Sequence, residues 1–317
     1  MAAIVDFEVR LPSGHADVRD MQQASGLALA EILEITHAEQ FPVLDEYETA
    51  WELAAEAAGT VLKRSGVPPA DVDLVLYAGS GEWDRPFWSP AARVAAELGI
   101  ERAHCFEVSN FCNAAMTAVQ LAADKVSLGR ARHALVLIGD RLSQLVDYQD
   151  PESKALFNFG DAPAAVLVGR DGPLELLHSQ MRTEPEWADY YSGDIEDDRV
   201  VMRRRGHRRG LGDAYLRNFV ELTNDTLFTL DLAPADVRYF LINQGDRNMH
   251  ERVLEALGIA ARRSVFNYHR YGHMGGSDPF IALGQLMDEG RLSPGDVVLV
   301  ASSGMGFSWG VTALRRS

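Results

Sequence analysis

Apolar and polar positions along the chain switch repeatedly between two periods. Runs of strand length, such as Asp73-Leu-Val-Leu-Tyr-Ala78, Ala134 to Asp140 and Val297 to Ala301, stand between segments with apolar residues at helical spacing. The N-terminus, MAAIVDFEVRLPSG, reads as a strand and a turn. Asp17 to Gln40 is mostly helical in composition, with Met21, Leu27, Leu29, Ile32 and Leu33 partly in helical register. A clearer helix spans Asp45 to Arg64 and stops at Gly66, Pro68 and Pro69. Beyond the strand at 73–78 come the loop Gly79-Ser80-Gly81, an aromatic loop with Trp83, Phe87 and Trp88, and a helix from Ala91 to Leu98. Such alternation predicts an α/β fold.

The pattern occurs twice. A helix, a Pro-Ala-Asp-Val turn, a buried strand and a glycine-containing loop follow Glu48, and the same series follows Asp213. Pro69 matches Pro234, Ile100 matches Ile259, and Ala134 matches Asp296, each roughly 160 positions on. Three matches in order predict two similar α/β halves, divided here as 1–172 and 173–317, with an inserted loop near 181–210. Two generic strand-helix-strand units are the plainer alternative.

Composition narrows the chemistry. A net charge of −16 argues against nucleic acid or an anionic membrane as the main partner. No apolar run has the length of a membrane span and the N-terminus lacks an export pattern, so the cytoplasm is the expected location. Both cysteines, Cys105 and Cys112, flank one strand-to-helix junction, a layout that suits free thiols in a reducing compartment.

Cys112 follows the strand-like Cys105 to Val108 and opens a small-residue helix with Ala118, Leu121 and Ala122 on its apolar stripe. Unpaired backbone N–H groups and the positive dipole end at such a site favour a thiolate, which makes Cys112 a candidate nucleophile. A buried cysteine acting as a small hydrophobe is the alternative. Carrying the repeat offset forward from Cys112 reaches YGHMGGSDPFIAL, where His273 precedes the helix Pro279 to Met287. Equivalent junctions would then present a thiol and an imidazole to one another, near strand carboxyl ends where ligands collect. Asp278, five residues on, is either a helix N-cap or the acceptor that orients His273 in a nucleophile–base–acid triad. Apart from His269 and His273, four residues apart in a glycine loop, no histidine spacing suggests a metal site, and no metal or bound cofactor is expected. Near the C-terminus, SSGMGFSWG follows a buried strand. Its glycines allow backbone N–H groups to aim into a cavity, and amides at Met305 and Gly306 would join that of Cys112 in an oxyanion hole.

In order, SNFCNAA, FNFGDAPAAVLVG, the Asn243-Gln244-Gly245-Asp246 loop, YGHMGGSDPFIAL and SSGMGFSWG resemble the ketoacyl-acyl-carrier-protein synthase III group of thiolase-fold enzymes. The resemblance spans nearly the whole chain. It implies a duplicated five-layer αβαβα fold, a homodimer, and an acyl-enzyme formed on Cys112 from acyl-CoA or acyl-carrier protein, the phosphopantetheine-bound acyl group being substrate. It also places Phe87 where the family puts an aromatic that reaches toward the partner's acyl pocket. Condensing members have a His-Gln-Ala-Asn motif and a Tyr-Gly-Asn-Thr motif. Here Asn243 stands at the first position and His273 at the second. An asparagine is no base, so the likeness shifts toward the synthase-III-like acyltransferases of secondary metabolism, which pass an acyl group to a hydroxyl or amine of a small-molecule acceptor. A starter-unit condensing enzyme and a non-catalytic partner subunit are the alternatives.

Residues 181–209 fit neither half. They contain Asp194, Glu196, Asp197 and Asp198, then Arg203-Arg-Arg-Gly-His-Arg-Arg209. Arginines so crowded on an acidic chain read as a salt-bridged face, or, at Arg205 in particular, as a grip on phosphates or an acidic carrier protein. Arg247 and Arg252 form a second candidate docking patch, and the insertion could act as a lid.

Overall fold

The computed structural model describes residues 2–196, 198–206 and 208–317; Asp197 and His207 of the charged run lie outside these. In chain order come β1 (Ala2–Val9), β2 (Gly14–Asp17), α1 (Val18–Ser25), α2 (Leu29–Thr36), β3 (Gln40–Val43), α3 (Ala50–Ser65), β4 (Val72–Gly79), α4 (Pro90–Glu97), β5 (His104–Ser109) and α5 (Ala114–Ser127). Then follow β6 (His133–Ile138), β7 (Ala164–Gly169), β8 (Leu174–Thr183), β9 (Tyr191–Glu196), β10 (Arg199–Arg204), α6 (Leu211–Thr229), β11 (Val237–Ile242), α7 (Arg247–Ala256), α8 (Tyr268–Tyr271), α9 (Asp278–Asp288), β12 (Val297–Gly304) and β13 (Ser308–Arg316).

One continuous ladder runs β11-β12-β13-β8-β1-β7-β6-β4-β5. It contains the same arrangement twice. In the first, β4 pairs in parallel with β5 and β6, and β7 and β1 follow antiparallel. In the second, β11 and β12 are parallel, and β13 and β8 follow antiparallel. The two sets touch through β1 and β8, at Ala2, Ala3 and Ile4. Residues 265–267, where a counterpart of β5 would lie, form no strand.

Side-chain alternation along each strand explains the layers. Leu74, Leu76 and Val136 of the first set, and Tyr239, Leu241 and Val298 of the second, face one shared core around α5 and α9. Their neighbours Val75, Tyr77 and Leu135 face outward onto α3 and α4, while Phe240, Leu299 and Val311 face α6 and α7. The result is helix, sheet, helix, sheet, helix. Strands covered on both faces need near-continuous apolar runs, which is the pattern seen in the sequence. Ala114, Ala115, Ala118 and Ala122 keep α5 slim enough to lie between two sheets. No helix among the described residues is long and apolar enough to cross a membrane.

The structure refines two local expectations. Residues 17–40 are mostly helical, as expected, but form two short helices: α1 ends at Gly26, whose φ of 72° closes the helix with an N–H to Gln22 O, and Gln40 already belongs to β3. The segment at 181–210 begins inside β8 and continues as the antiparallel hairpin β9–β10. Its Met202 packs into the same apolar cluster as Cys112.

Candidate active site

Cys112 lies in the single turn Phe111–Asn113 that links β5 to α5. The backbone reverses sharply there, with Phe111 at φ 49°, a left-handed conformation uncommon for a residue with a side chain. Polar neighbours hold the turn. Asn110 donates from Nδ2 to Thr117 Oγ1 at 2.9 Å, and its Oδ1 accepts from Ser308 Oγ at 3.0 Å. Gly304 of β12 packs directly beneath, where a Cβ would lie 2.4 Å from Asn110 O and 3.1 Å from Asn113 N.

His273 lies in the loop between α8 and α9, and the Phe157-Asn-Phe-Gly160 segment fixes it. Its N–H donates to Asn158 O at 2.7 Å, its carbonyl accepts from Gly160 N at 2.9 Å, and the Phe159 ring stands edge-on to the imidazole at 5.2 Å. Gly272 makes this approach possible, having φ 65° and no Cβ to meet Asn158 O. One turn later Gly276 abuts α5, where a Cβ would come 2.7 Å from that of Ala115.

These junctions bring the three residues together. His273 Nε2 is 3.2 Å from Cys112 Sγ, and Nδ1 is 2.6 Å from Asp278 Oδ2. Exposure of the three is 7 %, 3 % and 2 % for Cys112, His273 and Asp278, so water is largely excluded. Asp278 Oδ2 also accepts from Gln244 N at 2.7 Å, and Oδ1 from Met274 N at 3.0 Å. With Nδ1–H donating to the carboxylate, Nε2 is left facing the sulfur. Burial alone pulls the imidazole toward its neutral form. Negative charge on Cys112, with the Asp278 carboxylate, more than reverses this and raises the His273 pKa to about 10. Both neighbours thus favour the protonated ring.

A cavity of about 330 Å³ opens beside Cys112 and His273, within the size range of small-molecule sites. Met305 lines it, and Gly306 occupies the same turn at φ 118°. Asn243 also reaches the wall, but its amide is already engaged: Nδ2 donates to Ser303 O at 3.1 Å and Oδ1 accepts from Ser303 N at 3.3 Å. It thus clips the end of β11 to the end of β12.

Other residues singled out from the sequence lie elsewhere. Phe87 is fully exposed at φ 53° on the loop before α4, outside this cavity. Arg205 pairs with Asp194, and Arg247 pairs with Glu251 one helical turn on at 3.0 Å; neither lines the cavity. In the same hairpin region Arg203 is held by Asp147 at 2.7 Å and by Glu196 at 2.7 Å, Arg204 by the Tyr190 hydroxyl at 2.9 Å, and Arg208 by Glu186 at 2.7 Å. The salt-bridged reading describes these contacts. Sequence reasoning passed over Gln244, whose backbone helps hold Asp278, and the aromatic wall formed by Phe159, Tyr191, Tyr215 and Phe307. Those aromatics come from separate segments, and only folding assembles them.

Comparison with known proteins agrees with this arrangement. A family model described as 3-oxoacyl-[acyl-carrier-protein (ACP)] synthase III matches residues 106–185, and its C-terminal counterpart matches residues 227–316, together more than half the chain. A β-ketoacyl-[acyl-carrier-protein] synthase III of Rhodospirillum centenum is 28% identical over 294 residues, covering 90% of this chain and 89% of that protein. The crystal structure of the Aquifex aeolicus 3-oxoacyl-[acyl-carrier-protein] synthase III superposes with a TM-score of 0.89 at 25% identity, covering 99% of this chain and 100% of the other. In fold alone the chain is also similar to Xanthomonas campestris OleA, with a TM-score of 0.87 at 18% identity, covering 99% and 98%. With the five-layer fold and these matches, the chain belongs to the 3-oxoacyl-[acyl-carrier-protein] synthase III-like enzymes of the thiolase superfamily.

Proposed function

We propose that this enzyme is an acyltransferase that loads an acyl group from acyl-CoA or an acyl-carrier protein onto Cys112 and passes it to a hydroxyl or amine of a small acceptor, in polyketide or related secondary metabolism. The observation that carries the reading is the 3.2 Å contact between Cys112 and a histidine that Asp278 orients, with Asn243 rather than a second imidazole across the cavity.

In the first half-reaction the Cys112 sulfur attacks the thioester carbonyl. The tetrahedral oxyanion lies against backbone N–H groups of Cys112 and of the Met305–Gly306 turn. As the intermediate collapses, the carbon–sulfur bond to the donor breaks and the His273 imidazolium protonates the leaving thiolate. Acylation removes the negative charge on Cys112, so the now neutral His273 is stabilised by its burial and becomes a base. In the second half-reaction Nε2 takes the acceptor's proton as its oxygen or nitrogen attacks the acyl carbon. Cys112 departs as thiolate beside the newly protonated His273.

Decarboxylative condensation to a 3-oxoacyl product is the second reading, in keeping with relatives named β-ketoacyl-[acyl-carrier-protein] synthase III. Against it, Asn243 cannot serve as a base and its amide is occupied by the Ser303 backbone. A homodimer in which exposed Phe87 approaches the partner's cavity completes the proposal. Intact-mass spectrometry after incubation with acyl-CoA and acyl-carrier thioesters tests it. An adduct that is absent from Cys112→Ala and discharged by a nucleophilic acceptor is expected. No adduct on the wild type sinks the reading, and CO₂ release from a malonyl donor with a chain-extended product selects condensation instead.

A further inference from the structure

The wall beside Cys112 is mostly apolar, from Leu156, Phe159, Ile242, Phe307 and their neighbours, but one side of it carries hydroxyls. Tyr215 enters from α6. Its ring is edge-on to Trp309 at 5.3 Å, to Phe307 at 5.6 Å and to Phe219 at 6.0 Å, so aromatic packing fixes its plane. Tyr215 and Ser303 line this cavity together. Ser303 is itself immobilised through both backbone polar groups by Asn243. The Ser303 hydroxyl oxygen has one long contact, at 3.5 Å from Asn243 Nδ2. The hydroxyl hydrogens and the remaining lone pairs of the two residues are available to whatever fills the cavity. A hydrocarbon chain placed there would strip water from these atoms and return no hydrogen bond.

Charge restricts the partner further. Asp246 lines the same cavity, and no lysine or arginine does so among the described residues. A carboxylate on the acyl chain would meet like charge in a poorly solvated space.

We propose that Tyr215 and Ser303 form an acyl-selecting subsite for a neutral hydrogen-bonding group, a hydroxyl or keto oxygen carried on the acyl chain. The proposal rests on the acyl-enzyme reading above and adds the class of acyl group. Tyr215 is a specificity residue in it and takes no part in bond making.

The test compares rates of Cys112 adduct formation, read by intact mass, for matched CoA thioesters: butyryl, 3-hydroxybutyryl, 4-hydroxybutyryl, 3-oxobutyryl and succinyl. At least one neutral oxygenated chain should load about tenfold faster than butyryl, the size of effect one neutral hydrogen bond gives. Succinyl should load slowest. In Tyr215→Phe the preference should fall to near one, and Ser303→Ala supplies a second reading should the first variant fold poorly. A wild-type preference for butyryl or succinyl, or an oxygenated preference that both variants keep, overturns the subsite while leaving the acyl-enzyme intact. Absence of any adduct overturns the acyl-enzyme reading itself.

Discussion

His273 Nε2 stands 3.2 Å from Cys112 Sγ although 161 positions of sequence separate them. That separation matches the repeat, because each residue precedes one of the two helices that share the central layer. Histidine and thiol are therefore expected to fail separately. Cys112→Ala should form no acyl adduct. His273→Ala should lower turnover by about 10²–10⁴-fold, the usual worth of a positioned acid–base group. Single-turnover assays check both, and an undiminished transfer rate in His273→Ala would remove the histidine from the mechanism.

His273 should change its proton affinity during the cycle. In the free enzyme burial lowers its pKa, and the charges of Cys112 and Asp278 raise it to about 10, so the ring is protonated below that pH. Cys112→Ala, or acylation, removes one raising charge and leaves the burial. The midpoint must then move down. Acylation should fall away as pH approaches 10, whereas transfer, which needs the neutral ring, should be lost on the acid side. Histidine ring NMR on labelled wild type and Cys112→Ala follows the midpoint directly; equal midpoints would contradict the account.

Asp278→Asn should keep the fold and impair the chemistry. Asparagine has one acceptor oxygen where Asp278 uses two. It either accepts from Met274 N and turns its NH2 toward Gln244 N and His273 Nδ1, or accepts there as a neutral oxygen and faces Met274 N with a donor. Either way the imidazole loses its charged orienting partner. A loss of roughly 10²–10⁴-fold in turnover with a little-changed melting temperature is expected. Comparable losses of stability and activity would instead make Asp278 a structural cap.

Gly304→Ala tests the floor of the nucleophile turn. The added Cβ would meet Asn110 O at 2.4 Å, which is backbone and cannot swing aside. Overpacking of this kind costs about 1–3 kcal/mol. Denaturant melts should show that loss, and iodoacetamide labelling of Cys112 should change because the turn beneath it has moved. An unaltered labelling rate would mean the turn tolerates the methyl.

Much of this was legible in the sequence because the relevant signals are periodic or local. Strand runs such as 73–78 and 297–301 are apolar on both faces, and the repeat pointed from Cys112 to the loop carrying His273. Asp278 was legible from its place beside Pro279 at a helix start. Other features depend on contacts between distant segments. Nothing in Asn243-Gln244-Gly245-Asp246 announces that Gln244 N bonds Asp278 or that Asn243 clips Ser303. The hairpin at 191–204 was obscured by its charges, which pair across strands and with Asp147 and Asp150. Tyr215 joins the cavity wall only because α6 lies against Phe307 and Trp309.

The contact of Gly276 with Ala115 has a consequence beyond packing. The thiol and the imidazole ride on the starts of two neighbouring helices, and the closest approach of those starts is set by a residue with no side chain against one with a single methyl. Proton transfer over 3.2 Å weakens steeply with added distance. A change of one carbon at position 276 would therefore be read first as altered reactivity of Cys112, well before it registered as a change of fold. A methyl group at 276 would have to move one of these helix starts, and with it the thiol or the imidazole.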